Sequence, residues 1–139
     1  KIGIGVLMLV VVMQFSRIDK TNPVIIEGND IISLLKPTEE IKGVLKSNCY
    51  DCHSNEVEYP WYSNIAPVSW WIGHHVEEGR EHLNFSEWGD YDAEKQRHKL
   101  EECYEEMEEH KMPLSNYELM HGSMSEEDRE KMEEWFKSL

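Results

Sequence analysis

The sequence predicts an all-α domain. Three observations carry that expectation. Apolar residues recur at helical spacing in several stretches, short polar residues suited to capping stand just ahead of them, and the period-two alternation of a strand is weak throughout. The chain has 139 residues with no internal repeat or low-complexity run, so one compact domain is the natural count once its N-terminal segment is set aside.

The elements follow in chain order. Ile2 to Ser16 carries no charge, with Lys1 before it and Arg17 after it. As a helix it reaches only about 22 Å, short of a hydrocarbon core of about 30 Å. No Ala-x-Ala pattern marks a cleavage site, so residues 1–16 are expected to be an uncleaved signal anchor, a membrane helix. Residues 17–37 mix Pro, Gly and Asn with short apolar runs and read as a tether with a few residues docked. The main domain is placed at 38–139.

Thr38 is the expected N-cap of a helix with Glu39 and Glu40 in its first turn. Ile41, Val44, Leu45 and Asn48 then follow at helical spacing and deliver the chain to Cys49. Beyond the next loop, a helix from about Pro67 should carry Val68, Trp71, Ile72, His75, Val76 and Gly79 along one stripe. Asp92 can cap a helix with Ala93, Leu100, Cys103, Tyr104 and Met107 on its apolar seam, expected to end at Lys111 or Met112 before Pro113. Ser115–Glu118 and Ser125–Asp128 resemble capping boxes, and Met132, Trp135, Phe136 and Leu139 form the buried side of the last helix.

Net charge is −14, from 28 acidic and 14 basic residues, which disfavours nucleic acid as a partner. Between Glu101 and Glu134 stand 13 acids and three Lys or Arg, a face suited either to solubility or to a basic docking partner.

The chemistry is concentrated in Cys49-Tyr50-Asp51-Cys52-His53, a Cys-x-x-Cys-His run. Two thiols at this spacing can form thioethers with both haem vinyl groups, and the adjoining imidazole then reaches the iron. A zinc half-site needs further ligands, and the remaining thiol, Cys103, is alone. A thioredoxin-like dithiol needs a βαβ setting, which the pattern lacks. One haem c held through Cys49 and Cys52, with His53 as axial ligand, is the reading that fits. The Nδ1–H of His53 should meet a carbonyl, with Pro67 or Ala66 as candidates. Arg80 and a Trp N–H such as that of Trp61 are candidates for the propionates.

A second axial ligand could come from one of the Met residues or from His74, His75, His82, His98, His110 or His121. Met112 is the best single candidate: it precedes Pro113, where a helix must give way to a loop, and it lies 59 residues after His53. His110 stands next to it in rank.

Cys49–Asn55, Trp61–Trp70 and Glu78–Trp88 together resemble the haem-binding domain family, and Met112-Pro113, Tyr117, Leu119–His121 and Ser125–Glu127 fit its C-terminal half. The resemblance runs from about Thr38 to the end. It implies a small cytochrome c-like helical domain wrapped around one covalent haem, membrane-anchored, with His53 and Met112 as ligands and a role in electron transfer. One departure stands at Leu114, where a second Pro is expected.

The expectation is therefore a membrane-anchored monohaem c-type cytochrome, a one-electron carrier rather than an enzyme, serving a redox protein partner that could be a respiratory membrane complex. Haem c attachment places the domain on the periplasmic, outer side of the cytoplasmic membrane, although Arg17 and Lys20 run against the usual charge bias. Two other classes compete. A haem-based sensor or gas-binding module needs an open or displaceable sixth position, and a structural subunit of a larger redox complex needs the haem only secondarily.

Overall fold

The computed structural model describes residues 2–139, so the expected flank Lys1 lies outside the described residues. Eight helices and two 3₁₀ turns are found among those residues, with no strand. Helices α1 (Ile2–Met13), α2 (Ile31–Leu35) and α3 (Glu39–Asn48) lead to the short α4 (Tyr50–His53). The others are α5 (Val68–His82), α6 (Ala93–Glu108), α7 (Ser115–His121) and α8 (Glu126–Ser138).

Local signals set most helix starts. The side chains of Thr38, Asp92 and Ser125 accept hydrogen bonds from the backbone of Ile41, Lys95 and Asp128, so three expected caps form. The expected box at Ser115 does not. Leu114 occupies the cap position, and Glu118 Oε1 accepts the Met124 N–H at 3.1 Å instead. Helix α6 stops at Glu108, earlier than Pro113 alone required. His110 takes a left-handed conformation (φ 54°), and both Lys111 and Met112 donate back to the Glu106 carbonyl.

One core joins these pieces. Ile31, Leu45, Tyr50, Phe85, Trp88, Met107, Met132 and Phe136 are buried together, with α6 packed along α8 and α3 against α8. Helix α4 sits on α5. The buried face of α5 is Ser69, Gly73, Val76 and Gly79, so Val76 and Gly79 of the expected stripe are buried while Val68 and Trp71 are not. Val68 and Trp71 are each 40% exposed because small residues, not large ones, let this helix approach its neighbours.

Residues 17–37 dock on the domain at several points. Ile31 is fully buried, the Tyr50 hydroxyl donates to Asp30, and Lys20 donates to Ser63 Oγ and Asn64 Oδ1. Helix α1 is apolar on every side, and Gly3 to Val12 are exposed. It is 12 residues long, and no helix among the described residues is long and apolar enough to cross a membrane.

Candidate functional site

The Cys-x-x-Cys-His run is bent into one turn. Helix α3 breaks at Cys49, whose carbonyl accepts the N–H groups of Cys52 (3.2 Å) and His53 (2.9 Å), so both thiols and the imidazole issue from a single short helix. Gly79 explains how that turn seats on α5. A Cβ at Gly79 would stand 2.6 Å from the Cys52 carbonyl oxygen, so only glycine admits this contact.

The same glycine orients the imidazole. His53 Nδ1 lies 2.9 Å from the Gly79 carbonyl and 3.1 Å from that of Leu83. With carbonyls as the only partners, Nδ1 carries the proton and donates it, leaving Nε2 as the lone-pair nitrogen. This corrects the expected acceptors: the Ala66 carbonyl takes the Gln14 amide instead, and Pro67 caps α5. Burial pulls the His53 pKa below its ordinary value, against the two carbonyl bonds that push it up, so the ring is held neutral.

A buried polar network braces the residues after His53. Ser54 Oγ donates to the Tyr50 carbonyl at 2.7 Å, Asn55 N–H to Ser86 Oγ at 3.0 Å, and Asn84 Nδ2 to Asn55 Oδ1 at 2.9 Å. Arg80 completes it. Its Nε donates to the Ser54 carbonyl and its Nη2 to Asn22 Oδ1, so the guanidinium fastens the loop after His53 to the preceding segment.

The thiols are unpaired and neutral. Burial is the first cause that pushes Cys49 up to about 12 and Cys52 up to about 11, and the Asp51 carboxylate adds to the rise at Cys52. A dithiol redox centre needs the opposite, a depressed thiol. Cys103 is likewise pushed up by burial, and no cluster of three or more His, Cys, Asp or Glu suited to a metal ion occurs among the described residues.

Beside Cys52 lies an apolar cleft of about 60 Å³, partly open to solvent. Val57, Tyr59, Trp71, Ile72, Val76, Tyr117 and Met120 line it. His75 also faces this cleft, and its Nε2 is buried without a hydrogen-bond partner. The cleft takes in neither Met112 nor Trp61. Trp61 is 75% exposed and meets Tyr62 edge-on. Met112 is half-buried against the main core, on which Cys49 also packs, while His110 is exposed.

Sequence reasoning missed the Gly79 carbonyl, the Asn55–Asn84–Ser86 network and Arg129. Gly79 stood on the expected stripe of α5, but its role depends on a chain approach that spacing does not reveal.

The turn suits a covalently held haem on three counts: two thiols on one helical turn, an imidazole with Nδ1 tied and Nε2 free, and an apolar cleft alongside. Fold and site together define a small all-α haem-binding module. The chain belongs to the haem-binding domain family, whose profile matches residues 8–138. Neither a curated protein nor a solved structure matches it.

Proposed function

We propose that the domain holds one haem c through Cys49 and Cys52, with His53 and Met112 as axial ligands, and serves as a one-electron carrier. The observation that carries this reading is the His53 ring. Its Nδ1 is committed to the Gly79 and Leu83 carbonyls, and its Nε2 is left for the iron directly after two thiols on one turn. When bound, the haem supplies the Fe(II)/Fe(III) couple. The chain fixes the imidazole and shields it with Phe85, whose ring centroid lies 6.1 Å away. Met112 is favoured because its loop follows α6 and packs on the same core as Cys49. A thioether ligand favours Fe(II) and raises the potential.

Membrane tethering is part of the same proposal. A helix such as α1, apolar on every side with Leu7, Met8 and Val12 all exposed, is costly in water and suits a lipid environment. The outer face of the cytoplasmic membrane is the location consistent with haem c. The acids of α6 and α8 suit a basic redox partner, such as a respiratory complex. In that case the association rate falls steeply with salt, because exposed charges are screened within about 10 Å at about 0.1 M. A rate independent of ionic strength returns those glutamates to a solubilising role.

A second reading, a sensor with a displaceable sixth ligand, draws on α7, which buries none of its residues although it borders the cleft. One experiment separates the two. A potentiometric titration of the purified protein should give a single one-electron wave, and carbon monoxide should leave the ferrous spectrum unchanged. A ferrous form that binds carbon monoxide readily supports the sensor instead.

A further inference from the structure

We propose that Arg129 is a positioning residue for the Met112 thioether, an inference that rests on the reading of Met112 as axial ligand. Arg129 stands on α8 and is 5% exposed. Its Nη1 donates to two backbone carbonyls, that of Met107 at 3.1 Å and that of Met112 at 2.8 Å. These carbonyls bracket the turn in which α6 ends. One guanidinium nitrogen therefore fixes the residue before Pro113 relative to both the end of α6 and the body of α8.

The charge is compensated on its other side. Glu118 Oε1 lies 3.9 Å from Arg129 Nη2 and also accepts the Met124 N–H, which joins the α7 segment to the same point. Burying a cation is expensive, and well-packed apolar side chains often stabilise a core at least as well as a buried ion pair. A buried Arg aimed at the backbone of Met112 therefore does something that packing alone does not. A guanidinium presents its donors in a rigid plane, so the backbone it holds has little freedom to swing the side chain away.

The test uses the haem-loaded full chain and compares Arg129→Met, Arg129→Lys, Met132→Ala and Met112→Ala. Met132 is fully buried on the same helix, so Met132→Ala loosens the packing of α8 without touching the Met112 carbonyl. Three quantities are read: the red-end charge-transfer band of a ferric iron–thioether bond, displacement of that ligand by imidazole, and the thermal midpoint. Arg129→Met should bind imidazole about tenfold more tightly, since a charge-assisted hydrogen bond is worth at least that factor. Arg129→Lys should fall between, and Met132→Ala should melt earlier with imidazole binding unchanged. If Arg129→Met does not fold, Arg129→Lys decides by the same criterion. An Arg129 variant that folds and binds imidazole as the parent does overturns the proposal. So does Met132→Ala shifting imidazole binding equally, which makes Arg129 merely structural. A charge-transfer band that survives Met112→Ala overturns the ligand reading itself, and this inference with it.

Discussion

The two sides of the site are built differently. On the His53 side, the imidazole, the backbone after it and the facing loop are tied by short hydrogen bonds, several of them fully buried, and by the glycine contact with Cys52. Tyr50 adds a ring stacked on Phe85 at 5.7 Å and a hydroxyl bonded to Asp30. The Met112–His121 side is held by a few long side chains. Helix α7 buries no residue, Leu119 is 83% exposed, and its main ties are the Tyr117 hydroxyl on Asp51 and Ser47, the His121 ring on Tyr62, and Arg129. The histidine side is over-determined, so no single polar deletion frees the ring. The other side depends on individual contacts, so under the proposed Met112 ligation it is the place where ligand strength and potential would be tuned.

The largest test of this contrast is Gly79→Ala. The added Cβ meets backbone rather than a flexible side chain, so α4 must lift off α5 and His53 loses its acceptors. Overpacking at such a contact costs about 1–3 kcal/mol or more, and a denaturation curve should show the upper part of that range. An unchanged midpoint breaks the claim that the Cys-x-x-Cys-His turn is rigidly seated. Next in size is Asn84→Ala. It strands the Asn55 side chain and the Ser86 N–H in a buried place, at about 1–3 kcal/mol, again read from a denaturation midpoint. Near-zero cost here means that the network is not what holds the loop. Smallest is Tyr117→Phe, which removes a half-buried hydroxyl bonded to Asp51 and Ser47 and should cost roughly 0.5–1.5 kcal/mol. A Tyr117 effect larger than that of Asn84 reverses the comparison.

The same division governs what could be read in the sequence. Caps at Thr38, Asp92 and Ser125 are decided within four residues, so their side chains announce them. The haem motif is equally local. The end of α6 was misplaced because His110, not Pro113, turns the chain, and a left-handed histidine leaves little trace in the sequence. The face of α5 was misread in part because a search for large apolar residues overlooks Ser69 and Gly73, which work by being small. Arg129 was invisible for another reason. Its acceptors are backbone carbonyls 22 and 17 positions away, and a carbonyl belongs to every residue alike. Even the acceptor of the His53 proton follows from how α4 lands on α5 and not from residue type.

The central claim is that Cys49, Cys52 and His53 hold a haem covalently and ligate it. Extraction of the purified protein with acidified acetone, followed by an alkaline pyridine haemochrome spectrum of pellet and supernatant, tests it most directly. The account predicts one haem per chain in the protein pellet, with the spectrum of a haem whose two vinyl groups are saturated, and none in the pellet of a Cys49→Ala, Cys52→Ala variant. Haem released into the acetone with intact vinyl groups, or retained by that double variant, would contradict it.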